Sequence, residues 1–370
     1  MNQPKLELMG VCKDFEGGSV AAVDGVDLQV RAGETVALLG PSGCGKSTLL
    51  NMIVGLEHPT SGDIQIDGQS VLELEAGKRN VGLVFQDYAV FTHMTVAQNL
   101  AFGLEVRRQP RDEVQRAVAE VAELLGMRDQ LKVRAKELGG SELQRVAIGR
   151  TLVTKPQVLL LDEPLSNLEA AARLAMRREL RRLQGEIGLT IIYVTHDQIE
   201  ALSLANRIAV MSNGKIRQVE STSLIYDRPD HMFVGSFLGS PPMNFIRGQL
   251  SGEGSLVTFE NGPLRLPLPG FTRHLPPGQA PLQVSLGMRP ENIRLCPVGQ
   301  GMWEGRVKLV ELRGPEAITT VEVAAGSGTM GLKVLTPVQA RPVAGIPIGV
   351  SIDLADCLLF SHDTSRRLAA

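Results

Sequence analysis

The chain has 370 residues, of which 43% are hydrophobic and 21% charged, and its formal net charge is −2. Such a length suggests two to three domains with sizeable cores, and the charge balance carries no electrostatic footprint for nucleic acid. Cys12, Cys44, Cys296 and Cys357 are scattered without a CxxC pair, so neither a disulfide framework nor a zinc site is supported and a reducing compartment fits best.

The N-terminal MNQPKLELMG lacks a basic start followed by an apolar core, so no secretory signal is expected. No apolar run approaches the roughly 20 residues of a spanning helix. Any work at a membrane is therefore expected to go through partners.

In chain order, four short apolar runs each end in a polar residue. TVALLG (35–40) leads into a glycine loop and VGLVF (81–85) into Gln86. VLLLDE (158–163) ends in two acids, and TIIYVTH (190–196) ends in a histidine. Such runs, set between helical patterns, read as buried parallel strands. Ligands of such sheets sit beyond the carboxyl ends of the strands, so the four endings are expected to meet at one edge. Between the second and third runs, about residues 88–155, a helical insert is expected. In it RDEVQRAVAEVAELL (111–125) places Val114, Ala117, Val118, Val121, Leu124 and Leu125 on one helical face, with Gly126 as the stop.

Composition changes near residue 241, and ten of the 21 prolines fall between 241 and 300. ENGP (260–263) signals a turn. PLQVSLGM, GRVKLVEL, ITTVEV and IGVSIDLADCLLF read as short strands of a small β-barrel-like domain. The tail SHDTSRRLAA reads as frayed. The expected domains are therefore 1–240 and 241–370.

GPSGCGKS, Gly40 to Ser47, fits G-x-x-x-x-G-K-[ST] directly after an expected strand, the context that this phosphate loop requires. In the loop of Gly40, Pro41, Ser42, Gly43, Cys44 and Gly45, the glycines would let backbone N–H groups turn inward around phosphates. Lys46 would reach the outer phosphates, Ser47 would ligate Mg²⁺, and Thr48 lies in the first turn of the following helix, whose positive end faces the anion. Asp162 would hold Mg²⁺ and Glu163 would polarise a water as general base. Read alone, the acid pair fits a helix cap equally well. The Gln86 amide is a further ligand for Mg²⁺ and the nucleophilic water. His196 would bond the terminal phosphate, against the reading of a structural strand-end histidine. Phe15, in VCKDFEGG, is a candidate for stacking on adenine, worth about 1–3 kcal/mol; a buried core phenylalanine is the rival.

GPSGCGKSTLL, VFQDYAVF, QRVAIGR, LLLDEPLSNLEA and YVTHDQIEA, in this order, resemble the ATP-binding subunit of ABC transporters, nearest to the maltose and glycerol-phosphate importer type. FLGSPPMNFIRG (237–248) and LGMRPENIRL (286–295) resemble that subgroup's junction and C-terminal regulatory domain. The resemblance implies an α/β P-loop ABC ATPase domain, with a mixed-sheet core and a helical subdomain, followed by an all-β OB-like (TOBE) regulatory domain. It implies ATP and Mg²⁺ as cofactors and a peripheral place on the cytoplasmic face of the inner membrane. The implied partners are two integral-membrane permease subunits, an extracytoplasmic solute-binding protein and a second ATPase subunit. Tyr88, Phe91 and His93 would touch the permeases, with local packing as the alternative for that aromatic cluster. The cargo would be a sugar, polyol or glycerol phosphate.

The family's signature loop, L-S-G-G-Q, is donated across a head-to-tail dimer to the neighbour's ATP. Aligned on QRVAIGR, this chain offers Leu138, Gly139, Gly140, Ser141 and Glu142. Gly139 lacks the serine hydroxyl, and Glu142 brings a negative charge. A carboxylate about 6 Å from a phosphate costs on the order of 2–4 kcal/mol at an effective dielectric near 20. A lost charge-assisted hydrogen bond costs roughly 1.5–3 kcal/mol more. Ser141 and Gln144 also fit a capping box that starts the following helix. Glu169 replaces the aspartate of the family's S-N-L-D segment, which likewise reaches across the dimer. Parts kept for the chain's own nucleotide are intact, whereas parts lent to the neighbour are altered, so the expected second ATPase subunit is a non-identical chain with a regular signature. Three alternatives stay open: a homodimer that tolerates the variant loop, a soluble P-loop ATPase outside transport, and a non-hydrolysing partner.

Overall fold

The computed structural model describes residues 3–15, 21–253, 256–268, 282–326, 328–340 and 342–368. Contacts divide the chain into two compact units, Met1–Ile225 and Tyr226–Ala370.

The first unit opens with β1 (Leu6–Lys13), β2 (Val23–Val30), β3 (Thr35–Leu39), α1 (Lys46–Val54), β4 (Ser61–Ile66), β5 (Gln69–Ser70) and β6 (Val81–Val84). Three helices follow, α2 (Val96–Val106), α3 (Arg111–Leu124) and α4 (Gly140–Leu152). The chain then returns through β7 (Val158–Asp162), α5 (Ala170–Ile187), β8 (Thr190–Thr195), α6 (Gln198–Leu204), β9 (Arg207–Ser212) and β10 (Lys215–Ser221). One sheet has the order β2-β1-β4-β5, and the other β10-β9-β3-β8-β7-β6. In the second sheet β3, β6, β7, β8 and β9 run parallel and β10 is antiparallel. All four expected runs are therefore strands of one parallel array, and their carboxyl ends share an edge. β3 and β8 are buried at every position, as sequence runs without alternation require.

α1 packs Leu49, Leu50, Met52 and Ile53 into a core that draws on both sheets. Its C-terminus is closed by Arg79, a buried guanidinium that sequence patterning did not single out. Arg79 Nη1 donates to the Met52 carbonyl at 2.8 Å and to that of Ile53 at 3.2 Å, and Nε donates to Leu74 at 2.9 Å. A cation on the last carbonyls of a helix complements its dipole, and burial lowers the arginine's pKa. Arg79→Met should destabilise the first unit by about 2–4 kcal/mol, since it leaves buried carbonyls without donors. Denaturant melts of the two chains check this.

On α3, Val114, Val118 and Val121 are buried, as the helical spacing predicts, and so is Leu125 just past the helix end; Ala122, outside the predicted face, is buried too. Ala117 and Leu124 pack against the same core while only partly buried.

The short helix α7 (Thr222–Asp227) carries the chain out of the first unit. Among its described residues the second unit contains α8 (Met232–Phe237) and ten strands. One antiparallel sheet joins β11 (Asn244–Glu253), β12 (Leu256–Asn261), β13 (Leu264–Pro267), β14 (Leu282–Met288) and β20 (Leu358–Ser361). The other joins β15 (Ile293–Cys296), β16 (Trp303–Arg313), β17 (Glu316–Ala325), β18 (Gly328–Pro337) and β19 (Pro347–Ile352). ENGP makes the tight β12–β13 turn, with Asn261 paired to Leu264. Arg289, buried, holds residues 226–238 to this unit: Nη1 donates to the Leu238 carbonyl at 2.6 Å, and the guanidinium lies 3.8 Å over the Tyr226 ring. The tail is not frayed over its described residues. Arg366 bridges to His231 and Arg367 to Phe360, and Arg367 Nη2 meets Asp230 at 2.9 Å. Polar composition suggested fraying, but backbone pairing and this ion pair hold the segment.

Candidate functional site

The phosphate loop takes its shape from backbone that only glycine adopts freely. Gly45, with φ 106°, is the N-cap of α1. A Cβ there would stand 2.3 Å from the Ala22 carbonyl oxygen, so a side chain would force the backbone apart. The Lys46 ammonium, buried under the loop, donates to the carbonyls of Gly40 at 2.8 Å and Pro41 at 3.0 Å. Cys44 is buried next to it, and burial raises its thiol pKa despite the lysine. Pro41, Ser42, Gly43 and Ser47 are exposed along the loop, and Thr48 is half-buried.

Ser47 stands in the first turn of α1 and Asp162 at the end of β7. Burial, then the neighbouring Glu163 charge, pushes the Asp162 pKa up, while Ser47 and Lys46 pull it down. Two adjacent carboxylates in a partly buried site favour a cation beside them. The hydroxyl and carboxylate oxygens present are hard donors suited to Mg²⁺, so the residues fit that ion.

Glu163 leaves β7 with φ 44°, a left-handed conformation uncommon for a non-glycine residue. Its N–H donates to the Val194 carbonyl at 3.0 Å, which ties it to β8. Its Oε2 lies 3.0 Å from His196 Nδ1. Acid and histidine, 33 positions apart in the sequence, are thus in direct contact. The histidine is exposed on its other side, its side chain 58% accessible.

Gln86 is exposed after β6, and its carbonyl accepts from Asn167 Nδ2 at 2.8 Å. Beyond it Tyr88 and Ala89 both have positive φ. Tyr88 is half-buried, its hydroxyl enclosed without a hydrogen-bond partner among the described residues. Phe91 packs edge-on against Phe102 at 4.6 Å, under the Arg150 guanidinium at 4.3 Å. His93 is exposed. Phe15 is 47% exposed with Lys13 Nζ 5.0 Å from its ring, so the core reading of that residue does not hold.

The altered loop starts α4 differently from the expected capping box. Gly139, not Ser141, is the N-cap. The Glu142 carboxylate turns back to accept the Gly139 N–H at 2.8 Å, and its other oxygen accepts from Gln130 Nε2. Ser141 falls inside the helix, because the carboxylate two positions after Gly140 outcompetes a hydroxyl for the free N–H. Gln144 is buried, with neither amide atom hydrogen-bonded among the described residues. Glu169 is exposed at the N-terminus of α5. Sequence reading missed the Gln130–Glu142 and Arg173–Glu200 partnerships; both join residues whose chemistry shows only once the fold brings them together. A larger cavity, about 1070 Å³, lies in the second unit and is lined by Tyr226, Arg289, Cys357 and Leu359.

A phosphate loop, an acid pair, a glutamine and a histidine at one edge of a parallel sheet define an ATPase of the ABC class. The family model described as "ABC transporter" matches residues 23–166, "MalK OB fold domain" matches 239–293, and "TOBE domain" matches 286–360. The trehalose/maltose import ATP-binding protein MalK of Thermococcus litoralis is 40% identical, over 98% of this chain and 99% of its own length. An sn-glycerol-3-phosphate import ATP-binding protein UgpC of Chromohalobacter salexigens is 46% identical, over 78% and 75%. Among solved structures, cbiO1 of Clostridium perfringens, part of the ABC transporter complex cbiONQ, matches with a TM-score of 0.57 and 28% identity, over 61% of this chain and 92% of that one. The chain belongs to the MalK- and UgpC-like ATP-binding subunits of ABC transporters, of the carbohydrate and glycerol-phosphate importer type. It binds and hydrolyses ATP to power import of a small solute through membrane permease partners. Among the described residues no helix is long and apolar enough to cross a membrane.

Proposed function

We propose that this subunit hydrolyses ATP at its own phosphate loop when paired with a second, non-identical ATPase chain that carries a regular signature. The reciprocal site, closed by this chain's residues 139–142, is slow. One observation carries the reading: the Glu142 carboxylate is engaged with Gly139 N–H and Gln130, whereas Glu163 and His196 are already paired. A negative charge stands where a neutral amide is expected, and it occupies an N–H of the loop that faces the neighbour's nucleotide.

In this reading Lys46 and the loop N–H groups hold the phosphates, and Phe15 stacks on adenine. Ser47, Asp162 and Gln86 hold Mg²⁺, which when bound offsets charge on the phosphate oxygens. Glu163 takes a proton from water, and His196, held by that carboxylate, donates to the terminal phosphate. Glu169 reaches toward the partner chain. Tyr88, Phe91 and His93 form the surface for a permease helix, and the subunit sits peripherally on the cytoplasmic side of the membrane. An extracytoplasmic binding protein delivers the cargo. The names of the relatives favour a sugar, polyol or glycerol phosphate.

Reconstitution with a permease pair and binding protein tests the solute class. ATP turnover should rise severalfold with trehalose, maltose, a polyol or glycerol 3-phosphate. Stimulation by none of these, with a response to a chemically different solute, contradicts the assignment.

A further inference from the structure

Three elements meet behind His196. The imidazole sits in a turn pinned on both sides by side chains. Thr195 Oγ1 accepts the Asp197 N–H at 3.0 Å, and Asp197 Oδ1 caps α6 by accepting from Ile199 and Glu200. Glu200 is buried at 3% exposure, and its Oε2 accepts from Tyr193 OH at 2.8 Å and Thr195 Oγ1 at 2.9 Å. A buried carboxylate calls for a compensating cation; Arg173 of α5 forms an ion pair with it, and Arg177 of the same helix acts on Tyr193. Arg173 Nε stands 3.8 Å from Glu200 Oε1, and its Nη1 stands 3.8 Å from Asp197 Oδ2. Both are ion-pair distances, about 1 Å longer than hydrogen bonds, and Nε makes no hydrogen bond among the described residues. The same guanidinium is tied at its far end to the segment before α5: Nη2 donates to the carbonyls of Leu168 at 3.1 Å and Ser166 at 3.5 Å. Glu163, Ser166, Arg173, His196 and Glu200 line a cavity of about 80 Å³ that gives these groups room to move.

We propose that Arg173 and Glu200 are positioning residues that relay the placement of the 166–169 segment to His196, and so set where the imidazole stands relative to Glu163. The inference rests on the assignment of Glu163 and His196 as reacting groups. A guanidinium is a rigid planar fork. When the carbonyls of 166 and 168 shift, Nε and Nη1 shift with them, toward or away from Glu200 and Asp197. Glu200 holds the Thr195 hydroxyl, and Asp197 follows the histidine directly, so both backbone neighbours of His196 answer to one side chain. Neither Arg173 nor Glu200 touches the Glu163–His196 contact itself.

The test uses the assembled transporter with Arg173→Ala, Arg173→Lys and Glu200→Gln, and with His196→Gln as the benchmark. Arg173→Ala and Glu200→Gln should lower kcat by about 10- to 100-fold through misplacement of a reacting group. The KM for ATP should stay within about twofold. Arg173→Lys should recover part of the loss, because it keeps the charge without the fork. If His196→Gln is crippled while Arg173→Ala and Glu200→Gln stay within about twofold of wild type, this inference fails and the site assignment stands. If His196→Gln is fully active, the site assignment fails, and a second readout decides the relay. In the full-length chain, the His196 imidazole C2–H resonance, identified by its loss in His196→Gln, should shift in both Arg173→Ala and Glu200→Gln while the other histidine signals hold. An unmoved His196 signal overturns the relay.

Discussion

A Glu163→Gln chain, assembled with its partners, is expected to lose ATP hydrolysis by about 10²–10⁴-fold and to bind ATP as the wild type does. Glu163 is held at its backbone by the N–H bond to the Val194 carbonyl and at its carboxylate by His196, 3.0 Å from Oε2. Glutamine keeps the size and one acceptor of that side chain but cannot take a proton from water. Lys46 and the loop N–H donors, proposed to hold the nucleotide, lie on other elements and are untouched. Single-turnover hydrolysis, measured beside a nucleotide titration, separates the two effects. A loss below about tenfold would place the general base elsewhere.

The second large effect concerns the loop lent to the neighbour. Glu142→Gln combined with Gly139→Ser should raise hydrolysis at the reciprocal site by about 30- to 1000-fold. That range corresponds to removing roughly 2–4 kcal/mol of charge repulsion. Gly139→Ser alone should restore little. A Cβ at 139 would stand 3.7 Å from Glu142 Oε2, so the new hydroxyl would be captured by that carboxylate before it met a phosphate. The two substitutions are therefore expected to be non-additive, as contacting residues are. Turnover at the partner's phosphate loop, isolated by Glu163→Gln in this chain, gives the comparison. Equal gains from Gly139→Ser alone and from the double variant would mean that Glu142 is not the obstacle.

The edge of the parallel sheet was legible because each strand is a short β-branched run that stops at a residue with chemistry. Asp162, Glu163 and His196 follow from that pattern, Lys46 and Ser47 from the glycine-loop motif after β3, and the Glu163–His196 contact joins two of the strand ends. The β-rich second unit was legible from alternation and from its proline and turn signals. What escaped the sequence was pairing at a distance. Arg79 looks like any surface arginine until α1 brings its last carbonyls to it. Arg173 and Glu200 belong to separate helices and share a purpose only in three dimensions. The start of α4 was misread because Ser141 and Glu142 both suit a first helical turn, and periodicity does not say which one turns back to the N-cap. The tail was misread because polar composition does not register a backbone bridge to His231 or an ion pair with Asp230.

The central claim is the asymmetry between what this chain keeps and what it lends, and ATP turnover by the purified chain tests it most directly. Alone, it should hydrolyse ATP slowly and without cooperativity in ATP. With a second ATPase chain whose signature retains serine and glutamine, turnover should become brisk and should depend on Glu163 of this chain. Brisk, cooperative hydrolysis by this chain alone would contradict the account.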